Sequence, residues 1–267
     1  MKILFIGDLV GKPGRQLLQE RLADLQSELS ADFTIVNVEN SAAGRGVTPA
    51  LADEILAMGA NVLTSGNHIW AQRGIDDYLA EEPRLLRPLN YPLETPGQGI
   101  FRGRSRDGQP VAVINLQGRV FMPSIDCPFR ALDHALDELD DSCPTIVVDM
   151  HAEATSEKLA MGWYADGRVS AVLGTHTHVP TADARILPAG TAYCTDVGMS
   201  GPYDSIIGTR PDLALQRFLT ARPVRFQVAS CNTRLAGVVV ETDPDSGHAI
   251  TIRSFLDPPG SLSEADP

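Results

Sequence analysis

The sequence predicts an α/β fold in which a mostly parallel sheet is covered by helices. Three observations support this class: the chain opens in a β-α-β-α-β order, its strand segments are apolar throughout, and its helical segments carry leucines three or four residues apart. Parallel strands joined by helices are buried on both faces, so their sequences lack the polar alternation of half-exposed strands.

The first 64 residues supply the five elements of that opening order. Thr48 and Pro49 suit the N-cap and first turn of a helix, and Gly59 suits its end. An earlier helix is indicated by four leucines in a 4-3-4 spacing, Leu18, Leu22, Leu25 and Leu29. The predicted elements are strand 2–6, a helix opened by Pro13, strand 33–38, the helix from Thr48 to Gly59, and strand 61–64.

The rest of the chain predicts a hairpin, three more helices and more strands. The hairpin, 99–104 with 111–116, is indicated by the turn sequence Arg106-Asp107-Gly108. The other elements are a helix with Phe129, Leu132, Leu136 and Leu139 on one face, strand 145–148, a short helix from Thr155, strand 169–173, strands 184–187 and 191–194, helix 211–220, and strands 224–229, 235–241 and 249–255. Because no repeat or linker interrupts the chain, 1–257 is predicted to be one domain and 258–267 a flexible tail.

Composition narrows the range of partners. The 267 residues are 43% hydrophobic, as in an ordinary globular protein, and no apolar run reaches membrane-spanning length. A net charge of −12 would repel a long nucleic acid, whereas a small phosphoester could still bind near metal ions. The four cysteines form no CxxC pair, which is typical of buried thiols in a cytoplasmic protein. Segments 83–96 and 99–116 are candidate surfaces for a homo-oligomer.

Ligand-type side chains follow five of the predicted strands. A single such residue after a strand is usually a turn or helix cap, but capping explains five together poorly. Since ligands gather at the carboxyl ends of strands in open α/β sheets, we expect one shared polar site. Its candidate residues are Asp8, Glu39, Asn40, Asn67, His68, His151, His176 and His178.

His176 and His178 carry the sharpest signal for metal binding. In an extended chain, alternate residues point to the same side, and their Cβ atoms lie about 6.6 Å apart. This separation suits one histidine on each of two metal ions about 3.5–4 Å apart. A pair of loop histidines without a ligand is the simpler alternative. The mixture of carboxylate, imidazole and amide oxygen, without thiolate, favours Mn, Fe or Zn over Ca or Mg.

At these residues the chain resembles the calcineurin-like metallophosphoesterases. The matching blocks occur in the family's order over the first two-thirds of the chain: Gly7-Asp8, Glu39-Asn40, Gly66-Asn67-His68, His151 and Gly174-Thr175-His176-Thr177-His178. The resemblance implies a layered α/β sandwich with two central mixed sheets flanked by helices. It also implies a metal-dependent phosphoric diester hydrolase.

Three departures from the family pattern are informative. Val10 stands where a histidine is usual, Glu39 replaces the bridging aspartate, and Ile69 replaces the acidic residue that orients the catalytic histidine. Together with Glu39-Asn40-Ser41 and the Gly-Arg-Gly-Val-Thr-Pro run, they resemble the YmdB-like branch. That branch implies hydrolysis of small phosphoesters, above all 2′,3′-cyclic nucleotides.

Carried over residue by residue, the resemblance implies two metal ions, Fe or Mn first and Zn as an alternative. It assigns Asp8, Glu39, Asn40 and His178 to one ion. It assigns Glu39, Asn67, His151 and His176 to the other. A hydroxide between the ions would attack phosphorus, and His68 would protonate the leaving oxygen. The residue that orients His68 is not evident from the sequence, because position 69 carries isoleucine.

Several alternatives remain open at this point. The same site would serve a phosphomonoesterase or nuclease, and a metal-stabilised regulatory or binding protein with little turnover would carry the same ligands. His68 is either the general acid or a structural residue. Arg45 and Lys12 lie in loops beside candidate ligands, where solvated surface charge is the simpler interpretation. Trp70 either stacks on a base or belongs to the core.

Overall fold

The computed structural model describes residues 1–139 and 143–258. These ranges contain two mixed sheets and six α-helices, which confirms the predicted fold class. None of the helices in these ranges has the length and apolar character needed to cross a membrane. Apart from Pro258, the predicted tail 258–267 lies outside the described residues. The single domain at 1–257 stays a prediction.

The helices and strands alternate along the chain much as the sequence predicts. The strands are β1 Lys2–Ile6, β2 Asp8–Leu9, β3 Phe33–Asn37, β4 Val62–Thr64, β5 Ile100–Arg104, β6 Pro110–Gln117, β7 Thr145–His151, β8 Ala171–Thr175, β9 Arg185–Ile186, β10 Ala192–Cys194, β11 Met199–Pro202, β12 Thr233–Thr242 and β13 Ala249–Asp257. The helices are α1 Gly11–Glu28, α2 Pro49–Ala57, α3 Ile75–Glu81, α4 Pro128–Glu138, α5 Thr155–Ala165 and α6 Pro211–Thr220.

Each sheet combines a run of parallel strands with antiparallel strands. The first sheet has the order β2-β11-β12-β1-β3-β4, with β13 also paired to β12, and its strands β1, β3 and β4 are parallel. The second has the order β5-β6-β7-β8-β10-β9, with β5 and β9 antiparallel at its edges. The carboxyl ends of β1, β3 and β4 therefore share one edge, as do those of β7 and β8.

The two sheets pack face to face, and helices cover their outer faces. Alternate residues of β1 show this division: Ile3 and Phe5 pack against the second sheet, and Leu4 and Ile6 pack against α1 and α2. The outer face of the second sheet packs against α4 and α5. Because both sheets are buried on both faces, their central strands are apolar throughout, which is the pattern that predicted them.

The main errors lie where tertiary packing outweighs local pattern. Segment 224–229 is not a regular strand, and its pairing is a single bridge from Val228 to Thr209. Val228 instead packs on the two glycine loops beside the site, at Gly11 and Gly44. The sequence analysis also missed β2, β11 and α3, since β2 has two residues and β11 reads Met-Ser-Gly-Pro. The prediction of buried thiols holds for Cys194, but Cys127 and Cys143 are only partly buried and Cys231 is exposed.

Candidate metal centre

Strand ends from both sheets meet in one cluster of polar side chains. Asp8 lies in β2, directly after β1, and the loops after β3 and β4 supply the next four residues. His151 ends β7, and two more histidines follow β8. Contacts of 3.0–3.2 Å connect all eight residues that the sequence predicts: Asp8, Glu39, Asn40, Asn67, His68, His151, His176 and His178.

Glu39 lies at the centre of the cluster and is fully buried. Its Oε1 lies 3.2 Å from the side-chain nitrogen Nδ2 of Asn40, and its Oε2 lies 3.1 Å from His151 Nε2. Beyond Asn40, His178 Nε2 is 3.1 Å from the same Asn40 Nδ2. Beyond His151, His176 Nδ1 is 3.0 Å from His151 Nε2. The two carboxylate oxygens of Glu39 therefore face two separate groups of ligand-type atoms.

The three clustered imidazoles all turn one nitrogen outward to a protein acceptor and the other into the cluster. The outer nitrogens are His151 Nδ1, 2.9 Å from Thr175 Oγ1, and His178 Nδ1, 2.9 Å from the Ile207 carbonyl oxygen. His176 Nε2 lies 3.1 Å from a carboxylate oxygen of Glu153. An outer acceptor holds the proton on the outer nitrogen, which leaves the inner nitrogen free to ligate a metal ion.

Sequence reasoning missed the outer acceptors because they are separated from the histidines along the chain or exposed. Thr175 Oγ1 donates to Asp149 Oδ1 at 2.7 Å, and Asn37 Nδ2 donates to Asp149 Oδ2 at 3.0 Å. Asp149 lies two residues before His151 on β7, so an acid at i−2 on a buried strand was the available signal. Glu153 is half exposed and gives no signal of this kind.

His176 and His178 reach their two groups by a route other than the predicted one. The strand ends at Thr175, and the two histidines have φ angles of +97° and +66°, so the chain is not extended there. Thr177 between them is held by Asp196, whose Oδ2 accepts from the Thr177 amide at 3.1 Å and from its hydroxyl at 2.6 Å. The separation of the histidines thus follows from left-handed backbone on both sides of an anchored threonine.

Asp196 is itself fixed by a buried ion pair. Lys158 Nζ lies 2.7 Å from Asp196 Oδ2, and both side chains are fully buried. The Gly198 amide donates to the other oxygen of Asp196 at 2.9 Å. A buried carboxylate with four donors is held in one place, so Asp196 is a positioning residue for the loop that carries the two histidines.

Asn40 resolves the question that Ile69 raises about His68. Ile69 is fully buried in the core, whereas His68 Nδ1 lies 3.0 Å from Asn40 Oδ1 and 3.3 Å from Glu39 Oε1. The His68 backbone amide also donates to Glu39 Oε2 at 3.2 Å. As a metal ligand, Asn40 would use its side-chain oxygen Oδ1. This requires a 180° rotation of the side-chain amide, after which Nδ2 would face His68.

The charges of the cluster fit a cation. Burial raises the pKa of Asp8 to about 6, and its buried Oδ1 has no hydrogen-bond partner. Burial disfavours the charged form of His151, but the Glu39 carboxylate outweighs burial and raises the pKa of His151 to about 9. Burial and the nearby His151 lower the pKa of His176 to about 3. An unpaired buried carboxylate oxygen and a neutral inward imidazole are the donors that a divalent cation satisfies.

Gly66 leaves the space in which the side chains of His151 and Glu39 meet. A Cβ atom at this position would overlap both His151 Nε2 and Glu39 Oε2. We therefore expect Gly66→Ala to push His151 and Glu39 apart and to weaken metal affinity by about 10–100-fold, as loss of ligand orientation does. Isothermal titration calorimetry of the metal-free protein with Mn measures this change in affinity.

Gly74→Ala is the control for the loss of a glycine. Gly74 has a φ of +76° and no neighbouring atom within 4 Å of an added Cβ, so alanine there adds backbone strain without touching the cluster. It should lower the melting temperature and keep the metal affinity of the wild type. Equal metal affinity in Gly66→Ala and the wild type would contradict the assigned role of Gly66.

The family of the chain follows from its similarity to known proteins. A family model described as YmdB-like protein matches residues 4–255. The chain belongs to the YmdB-like family. This YmdB-like chain is 50% identical over 256 residues to a 2′,3′-cyclic-nucleotide 2′-phosphodiesterase of Bacillus subtilis (strain 168), covering 96% of the chain and 97% of the relative.

Two solved structures match the YmdB-like chain over nearly its whole length, each with a TM-score of 0.90. A hypothetical protein from Thermus thermophilus is 41% identical, with 96% of this chain and 98% of the other covered. A novel phosphatase from Mycoplasma pneumoniae is 36% identical, with 96% and 92% covered. These relationships confirm the predicted family, its fold and the predicted enzyme class, phosphoric diester hydrolase.

Proposed function

We propose that the chain is a dinuclear-metal phosphodiesterase that hydrolyses small phosphoesters, above all 2′,3′-cyclic nucleotides. The observation that carries this proposal is the orientation of His151, His176 and His178. Each has its outer nitrogen engaged by an acceptor and its inner nitrogen facing the Glu39 carboxylate or its neighbours. A purely structural cluster would have no reason to leave a buried carboxylate oxygen of Asp8 without a hydrogen-bond donor beside imidazole nitrogens that face inward.

The two groups around Glu39 divide into two ligand sets, as the family resemblance implies. Asp8, Asn40 and His178 would hold one ion and Asn67, His151 and His176 the other, with Glu39 bridging through its two oxygens. Bound metal ions would activate water for in-line attack on phosphorus and offset the charge of the phosphoryl oxygens. Oxygen and nitrogen donors without sulfur favour Mn or Fe, and Zn is an alternative.

His68 is the residue best placed to move a proton in this reaction. Its Nδ1 is engaged by Asn40 and Glu39, which leaves Nε2 as the nitrogen that can donate. His68 lines the cleft beside the cluster, so a leaving oxygen bound there has a donor at hand. In the proposed reaction, His68 transfers a proton from Nε2 to the ribose oxygen as the bond to phosphorus breaks.

The substrate is proposed to be small because of the charge of the protein and the names of its relatives. A chain with a net charge of −12 repels a long polyanion, whereas a mononucleotide needs positive charge only at the cluster. The 50% identical Bacillus subtilis relative is a 2′,3′-cyclic-nucleotide 2′-phosphodiesterase. The cytoplasmic location and the homo-oligomer stay predictions.

A comparison of three substrates tests the proposed function. With Mn present, the purified protein should open 2′,3′-cyclic AMP faster than it cleaves adenosine 3′-monophosphate or a short RNA, and EDTA should abolish the reaction. Preference for the monophosphate would instead identify a phosphomonoesterase, the activity suggested by the name of the Mycoplasma pneumoniae structure. Hydrolysis of none of the three, with Mn, Fe or Zn, would favour a binding or regulatory protein.

A further inference from the structure

A cleft of about 760 Å³ opens beside the metal centre and has two chemically different ends. Asn40, His68 and His178 line its polar end. Phe218 of α6 and Phe226 line its apolar end, together with other apolar residues of segments 206–208 and 224–228. Its volume lies within the range of about 300–1,000 Å³ that is usual for pockets that bind small molecules. We call it the α6 cleft.

The apolar wall of the α6 cleft is attached directly to the loops that carry the metal ligands. The Val228 side chain lies against Gly11 and Gly44, where an added Cβ would approach it to 2.9 and 3.0 Å. The amides of these two glycines donate to the Asn40 carbonyl oxygen at 2.9 and 3.1 Å. The wall therefore has a fixed position relative to the cluster, as a substrate-binding surface requires.

The apolar end combines exposed aromatic rings with positive charge. The Phe218 side chain is 77% exposed, so most of its surface lacks a protein partner. The Arg217 guanidinium lies 5.3 Å from the centroid of the Phe226 ring, and Arg45 also lines the cleft. Trp70, a candidate for base stacking in the sequence analysis, instead packs edge-on against Tyr91 at the border of the core.

We propose that the α6 cleft binds the nucleobase of the substrate and that the Phe218 ring is its stacking surface. The proposal rests on the proposed function, since the phosphoryl group occupies the polar end and the base then extends toward α6. Exposed aromatic rings next to guanidinium groups bind bases of any sequence, because every base has a flat face to stack. A nucleotide matches both ends of the cleft, with an anionic group at one and a flat aromatic group at the other.

The Phe218→Ala variant tests this assignment by kinetics. Loss of one stacking contact should raise KM for 2′,3′-cyclic AMP by about tenfold, within the roughly 5- to 150-fold range for such contacts, and leave kcat unchanged. Methyl riboside 2′,3′-cyclic phosphate, which lacks the base, should show the same KM in the variant and the wild type. Leu219→Ala is the matched control, because Leu219 is 83% exposed on the same helix and does not line the cleft.

A binding measurement separates this inference from the proposed function. Equilibrium dialysis with adenosine 3′-monophosphate should give a Kd about tenfold higher in Phe218→Ala than in Leu219→Ala or the wild type. If the wild type hydrolyses neither cyclic phosphate but this difference in Kd is found, the proposed function fails and the base site stands.

Three outcomes would overturn the base site. One is a rise in the KM of Phe218→Ala that is equal for 2′,3′-cyclic AMP and for methyl riboside 2′,3′-cyclic phosphate. Another is an unchanged KM and Kd in Phe218→Ala. The third is a dimer, seen by analytical ultracentrifugation, that both Phe218→Ala and Leu219→Ala dissociate without a change in kinetics. That result would identify the face of α6 as a contact between two copies of the chain.

Discussion

Replacing Glu39 by glutamine should lower kcat/KM for 2′,3′-cyclic AMP by about 10³-fold or more, because metal ions contribute several kcal/mol to transition-state stabilisation and each 1.36 kcal/mol is tenfold in rate. Glu39 is fully buried, and its two oxygens face the two groups of ligands. Glutamine keeps the shape but supplies one oxygen and no charge. Activity and metal content, measured on the same preparation, should fall together.

Glu157→Gln is the matched control for the Glu39 variant. Glu157 is also a buried carboxylate, but it accepts from the backbone amides of Arg119 and Val120 and lies outside the cluster. The Glu157→Gln variant should be less stable than the wild type but retain its metal content and kcat. Full metal content together with wild-type kcat/KM in Glu39→Gln would contradict the bridging role of Glu39.

The second large effect is expected for His68→Ala, whose kcat should fall by about 10²–10⁴-fold, the usual contribution of general acid–base catalysis. Metal content should be unchanged, since other side chains are proposed to hold both ions. His134→Ala removes an exposed histidine of α4 and should behave like the wild type.

The choice of leaving group distinguishes an acid from a structural residue. A ribose alkoxide leaves poorly without a proton, whereas a nitrophenolate leaves without one. His68→Ala should therefore lose far less activity on bis-p-nitrophenyl phosphate than on 2′,3′-cyclic AMP. Equal losses on both substrates would assign His68 to the structure of the site and not to proton transfer.

The location of the site could be predicted from the sequence because it depends on a simple pattern. Apolar runs long enough for strands end in Asp8, Glu39, Asn67, His151 and His176, and parallel strands bring their carboxyl ends to the same edge. The prediction needed no side-chain geometry. It needed only the order of the strands and their direction, which the helices between them determine.

The interactions that orient the clustered side chains could not be predicted, because they depend on contacts between segments distant in the sequence. The Asp196 carboxylate that anchors Thr177 follows β10 and is paired with Lys158 of α5. The positive φ angles of His176 and His178 arise in the turn that this anchor holds, so a pattern of alternation could not reveal them. Segment 224–229 reads as a strand, yet Val228 is held by two glycine loops of the site.

The central claim is that two metal ions lie on either side of Glu39, and anomalous diffraction from crystals grown with manganese tests it most directly. We expect two peaks about 3.5–4 Å apart, one beside Asp8 and His178 and the other beside His151 and His176. No peak within the cluster, or peaks only at surface carboxylates, would contradict it.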